Sequence, residues 1–290
     1  MDVKNHNMNK EKSIMRKRFR IIAFLAFFLG IVMAVSQYFE FVSKTVYEES
    51  VSHLTEVFHQ SDNMLGELTH KNLMYLHMWS EYLQDAPSES KIRDYIDKAQ
   101  KDAGFLYFYF LSADGNYKMT TGETGYLGLQ ENIEDEIQKG NDIITNAAVP
   151  GKSQMLVFAS PKAHGSYQGF KYDAIAIAYE NADIVNVLDI SAFNGKAKSY
   201  VLHPDGRVVI DHSLESWGNV YNFFGILREH TDISEKEILE ISKKFKEGHT
   251  GAMLLNLDGK DYYLVYEKSD IQDWVFLGLV QADIVNASMN

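Results

Sequence analysis

The chain has 290 residues, with 28 Lys and Arg against 40 Asp and Glu, and no cysteine. Disulfides, thiolate metal sites and cysteine nucleophiles are thereby excluded, and a net charge of −12 speaks against nucleic acid as a partner. Seven of the basic residues fall within residues 1–20 beside two acidic ones, so the remainder carries 21 basic and 38 acidic residues, a net of −17.

Residues 21–35 (IIAFLAFFLGIVMAV) hold no charge, and the apolar character continues through Tyr38, Phe39, Phe41 and Val42. A helix needs about 20 such residues to cross a bilayer, so residues 21–41 are expected to form a transmembrane helix. Lys10, Lys12, Arg16, Lys17, Arg18 and Arg20 flank it on one side, and Glu40, Glu48 and Glu49 lie at the other end. The positive-inside bias then puts residues 1–20 in the cytoplasm and everything after the helix outside. A cleaved signal peptide is the competing reading, with Ala34-Val35-Ser36 as its cut.

From Tyr47 the apolar and small residues recur at three and four: Tyr47, Val51, Leu54, Phe58, Ser61, Leu65, Leu68, Asn72, Tyr75/Leu76, Trp79 and Leu83. That spacing predicts one helical face, and a stalk helix over residues 42–87 would span about 60 Å, enough to brace two stacked domains. Val51, Leu54, Phe58, Leu65 and Leu68 resemble a helix-pairing seam, which predicts a homodimer through the stalk. Glu67, His70, His77 and Glu81, with His53 and His59, carry metal-capable groups along this helix. A metal site needs several converging helices, so a solvated face is the reading here, with no metal and no cofactor.

Pro87 closes the stalk, and a second helix runs from Ser88 to Gly104. The run FLYFYFL at residues 105–111 reads as a strand, turned at Asp114-Gly115 into a partner over residues 117–121. A short helix near residues 130–138 precedes strands at 142–148, 154–161 and 172–179, and residues 181–188 are helical. The order then restarts. SYVLH at 199–203, the turn Pro204-Asp205-Gly206 and a returning strand at 207–211 lead to a helix over 234–246 and strands at 251–257, 260–267 and 274–280. The two Asp-Gly hairpins stand at corresponding places, so each half reads as a small antiparallel sheet with helices on one side.

These features resemble the double Cache domain, a tandem PAS-like extracytoplasmic sensor of bacterial histidine kinases, diguanylate cyclases and chemoreceptors. The likeness is carried by the stalk, the hairpin at 107–117, AIAIAYENADIVNVLDI at 174–190, SYVLHPDGRVVID at 199–211 and DWVFLGLVQADIV at 273–285. It implies an α+β fold, with the N-terminal transmembrane helix and long stalk helix bracing two PAS-like antiparallel-sheet modules. Residues 88–190 would be a membrane-distal ligand-binding module and 191–285 a proximal module that relays the change. Residues 286–290 would lead into a second transmembrane helix, with the polypeptide continuing to a cytoplasmic kinase or cyclase. Amine-binding members carry Arg-x-Trp-Tyr, whereas Trp79, Trp217 and Trp274 are preceded at that spacing by His77, Glu215 and Gln272. An amino acid ligand is therefore unsupported by motif.

The candidate ligand residues are Tyr107, Tyr109, Tyr126, Phe158, Ser160, Tyr172, Asp173, Tyr179 and Glu180, each with plain core packing as its alternative. Tyr109, Phe158, Ser160 and Tyr179 are expected to share one cavity. Glu131, Glu134, Asp135 and Glu136 read as an exposed helix face, and no G-x-S-x-G, H-E-x-x-H or GxxxxGK[ST] occurs. The expectation is thus a non-catalytic, membrane-anchored, extracytoplasmic sensor of a small molecule. An anchored or secreted enzyme and an adhesion or assembly module are the alternatives.

Overall fold

The computed structural model describes residues 2–85, 88–129, 133–148, 154–188, 196–212 and 222–288. It separates into two compact units, Met1–Ser50 and Val51–Asn290, with helix α1 (Asp2–Gln84) belonging to both. In the first unit the described apolar side chains of residues 24–41 stand exposed, Phe24 and Phe27 at 68% and Phe41 at 69%. Among the described residues no helix is long and apolar enough to cross a membrane. Several side chains of the expected span, such as those of residues 21–23 and 39–40, lie outside that description.

In the second unit α1 buries Leu54, Phe58, Ser61, Leu65, Thr69, Asn72, Leu76, Trp79 and Leu83. These are the three-and-four positions read from the sequence, with Thr69 in place of Leu68. What covers them corrects the pairing seam. Leu54, Phe58 and Leu65 are fully buried within this one chain, because sheets pack on them, so they are not free to pair with a second helix.

Helix α2 (Glu89–Ala103) ends on Gly104 in a left-handed conformation, φ 77°, the usual way to close a helix. Next come strands β1 (Tyr107–Leu111), β2 (Asn116–Lys118), β3 (Thr124–Tyr126) and β4 (Gly128–Leu129), then helix α3 (Glu134–Lys139). Strands β5 (Ile143–Ala148), β6 (Met155–Ser160), β7 (Gly165–Tyr167), β8 (Phe170–Tyr172) and β9 (Ala174–Glu180) follow, and α4 (Asn181–Leu188) ends this half. The first sheet has the order β3-β2-β1-β9-β6-β5-β4, with β7 and β8 as a separate hairpin.

The second half consists of β10 (Lys198–Leu202), β11 (Val208–His212), α5 (Phe223–His230), α6 (Glu235–Lys246), β12 (Gly251–Leu257), β13 (Lys260–Lys268), β14 (Val275–Gln281) and α7 (Ala282–Ser288). Its sheet runs β11-β10-β14-β13-β12. That is the order β2-β1-β9-β6-β5 of the first sheet, strand for strand. The repeat also survives in sequence. Ala-Asp-Ile-Val-Asn occurs at 182–186 and again at 282–286, each time opening the helix that follows the last strand.

The sequence reading placed the central strands, α2, α4 and α6. It missed β3, β4, the β7–β8 hairpin and α5; of the helix expected near residues 130–138, α3 is found over Glu134–Lys139, and residues 130–132 lie outside the described residues. Helix α5 does carry a start signal, since the Asn222 side chain accepts from the backbone N–H of Phe224 at 2.9 Å and of Gly225 at 3.3 Å.

Candidate functional site

Strand alternation divides the first sheet into two faces. Register fixes which residues share one. Tyr109 pairs with Ala176 and Phe108 with Ile177, while Phe158 also pairs with Ile177. Tyr107 and Tyr109 therefore lie with Ala174, Ala176 and Ala178, and Phe108 with Ile175, Ile177, Phe158, Ser160 and Tyr179.

On the alanine face, Tyr109 is fully buried and its ring stands edge-on to Tyr117 at 4.7 Å. Among the described residues its hydroxyl reaches only the Met155 sulfur, 3.9 Å away. Burial, with help from the Tyr117 phenol, pushes its pKa far above the ordinary tyrosine value. Tyr107 donates to Glu180 at 3.3 Å and Tyr117 to Glu123 at 3.4 Å, so two carboxylates border this aromatic group. Tyr126, on the edge strand β3, is 58% exposed.

The other face packs against α1. Tyr179 donates to Asn72 Oδ1 at 2.8 Å, and burial pushes its phenol up to about 12, opposed by that hydrogen bond. Phe158 stands edge-on to Tyr179 at 6.1 Å. Ser160 donates to Asp142 Oδ1 at 2.7 Å, while Asp142 Oδ2 lies 2.7 Å from His77 Nε2 and Lys162 Nζ 3.1 Å from His77 Nδ1. The expected single cavity for Tyr109, Phe158, Ser160 and Tyr179 is thus not formed. Tyr109 points away from α1 and the other three point toward it, because they occupy positions of opposite parity in the paired strands.

Tyr172 and Asp173 come together elsewhere, in a cleft of about 330 Å³ bounded also by Ile137, Pro161, His164, Gly165 and Lys171. Sequence reasoning missed His164 and Lys171, which lie outside any periodic pattern. A second cavity of about 360 Å³ lies between α1 and α2, walled by Tyr75, Trp79 and Tyr95 with Lys98 and Asp102. Among the described residues no group of three or more His, Asp or Glu could hold a metal ion.

Known structures repeat this arrangement. The extracellular domain of the putative histidine kinase mmHK1S-Z3 superposes with a TM-score of 0.59 at 13% identity, over 85% of this chain and 98% of that one. The ligand-binding domain of the Pseudomonas aeruginosa PAO1 amino acid chemoreceptor PctB, in complex with L-Arg, gives 0.57 at 15% identity, covering 81% and 97%. That of the Campylobacter jejuni chemoreceptor Tlp3, in complex with L-norvaline, gives 0.51 at 11% identity, covering 83% and 94%. This chain has the double Cache fold. No protein-family model matches the sequence, and no curated protein matches it.

The two Cache modules are joined by buried polar contacts that the sequence reading did not foresee. Asn146 of β5 is fully buried; its amide donates to the Val208 carbonyl at 3.1 Å and its Oδ1 lies 3.3 Å from His203 Nε2. Asn181, at the start of α4, donates to the Asp211 carbonyl at 2.7 Å and accepts from the Asp211 N–H at 2.9 Å. Strand β5 borders the first module's core through Ile143 and Ala147, so one strand touches both that core and the second module. The long helix holds both modules as well. Asp62 binds Ser269 and the Asp270 N–H, Ser61 donates to the Leu188 carbonyl, and Asn72 accepts from Tyr179.

Proposed function

We propose that residues 51–290 sense a small molecule outside the cytoplasm and pass its occupancy toward a membrane, as the non-catalytic input of a bacterial receptor of the histidine kinase, diguanylate cyclase or chemoreceptor kind. The observation that carries this reading is the pair of like-ordered sheets held on one helix and bridged by Asn146 and Asn181. A ligand that shifts the first sheet then changes the setting of the second, provided it binds the two settings with different affinity.

The first module, membrane-distal in this reading, carries the ligand. The candidates gather at two places in it, the face with Tyr107, Tyr109 and Glu180, and the cleft with Tyr172 and Asp173. Phe158, Ser160 and Tyr179 hold the sheet to α1 and carry its movement. Titration of the full chain with small organic acids, sugars, amines and nucleobases is expected to raise the unfolding midpoint for at least one class. Ligand at a hundredfold excess over Kd stabilises by about 2.7 kcal/mol. A folded chain that responds to none of them at millimolar concentration overturns the reading.

Residues 21–41 anchor this sensor, supported by the uncharged run at residues 21–39 and the basic residues before it. Two copies pair through the solvent face of α1, where Met64, Met74 and Met78 are 41%, 52% and 48% exposed. Because the chain has no cysteine, Met74→Cys introduces a single thiol. A membrane-impermeant bis-maleimide added to whole cells is expected to link it into a dimer. Labelling only after lysis overturns the orientation, and labelling without dimer overturns the pairing.

A further inference from the structure

The cleft at Tyr172 has the makings of a polar site. Tyr172 is 7% exposed, and among the described residues its hydroxyl has no hydrogen-bond partner. That hydroxyl remains open to water, so a ligand in the cleft can take the place of solvent on it. Gly165 faces Tyr172 across the β7–β8 hairpin, and a Cβ there would stand 3.3 Å from the Tyr172 hydroxyl oxygen. The missing side chain is what leaves the hydroxyl open to the cleft.

Lys171 and His164, both exposed on the cleft, form no ion pair with any described residue. Asp173 accepts the Ala113 N–H through Oδ2 at 2.9 Å, and its second oxygen has no described donor. The cleft therefore offers two cationic or donor groups and a hydroxyl for an anion, with one acceptor beside them. A volume of about 330 Å³ is at the small end for ligand sites.

Resting on the sensing function proposed above, we infer that this cleft binds a small 2-hydroxy acid, its carboxylate held by Lys171, His164 and the Tyr172 hydroxyl and its own hydroxyl donating to Asp173. A plain carboxylate leaves the Asp173 oxygen unpaired. A dianion or phosphate brings a second negative charge against it.

Isothermal titration of the full chain with glycolate, L-lactate, propionate and L-alanine tests this. Glycolate or L-lactate is expected to bind more tightly than propionate. Lys171→Gln is expected to weaken that binding at least about tenfold, and Tyr172→Phe or Gly165→Ala about fivefold, with the unfolding midpoint little changed since Lys171 is exposed. The inference is overturned if neither hydroxy acid binds, if Lys171→Gln and Tyr172→Phe leave their affinity unchanged, or if L-alanine binds in their place. Binding of some other compound that Lys171→Gln does not touch refutes this cleft and leaves the sensing function standing. No binding by any compound refutes both.

Discussion

Truncating Phe58 to Ala is expected to lower the unfolding free energy by about 3 to 5 kcal/mol, the cost of removing a buried aromatic ring and leaving its cavity. Phe58 is fully buried, and its ring stacks on Phe276 at 6.0 Å between centroids. Opposite it lies Gly278 of β14, where a Cβ would meet Phe58 Cζ at 2.7 Å and Leu54 Cδ2 at 3.1 Å. The absence of a side chain at 278 is what lets the helix approach the second sheet. Gly278→Val is accordingly expected to cost about 1 to 3 kcal/mol by overpacking. The double variant is expected to lose less than the two single losses combined, because the valine fills part of the space left by the ring. Urea unfolding at neutral pH measures all three. A loss under about 1 kcal/mol for Phe58→Ala, or strict additivity of the pair, would show that helix and sheet are not packed at this point.

The face of α1 that makes this contact was legible in the sequence because helical period is a local property. Leu54, Phe58, Leu65, Leu76 and Trp79 announce themselves by spacing alone. What they pack against is not local. An apolar seam fits a second helix or a sheet equally well, and only the folded second module, which supplies Gly278 and Phe276, decides between them. The ligand candidates failed in a similar way. Tyr109 and Tyr179 belong to neighbouring strands, and whether they share a face depends on pairing register, where a shift of one residue exchanges the faces. The β7–β8 hairpin was missed because its turn is Gln168-Gly169, with Gln168 at φ 46°, and a glutamine in the left-handed region gives no warning. The Ala-Asp-Ile-Val-Asn repeat was present in the sequence all along. It is short, and its meaning came only when both copies were found opening the same helix after the same strand.

Stability is expected to fall as pH drops from about 6.5 toward 4, with His203 as a principal cause. His203 is 4% exposed, its ring stands edge-on to Trp274 at 6.0 Å, and its Nε2 faces Asn146 Oδ1 across the junction between the modules. Burial holds its pKa down to about 4, the Arg207 charge adds to the depression, and Asp205 opposes it. In the unfolded chain the same imidazole takes a proton near its ordinary value of 6.5. Between these two values unfolding consumes a proton, so acid favours the unfolded state. The linked loss is about 2 kcal/mol at pH 5 and approaches about 3 kcal/mol at lower pH. His203→Gln keeps a donor for Asn146 and removes the titration. Denaturant unfolding at pH 7.5 and pH 5 is expected to show a drop in the native chain that is smaller by about 2 kcal/mol in the variant. Equal drops would mean that His203 is protonated in the folded protein at pH 5, and that the junction around Asn146 is open to water.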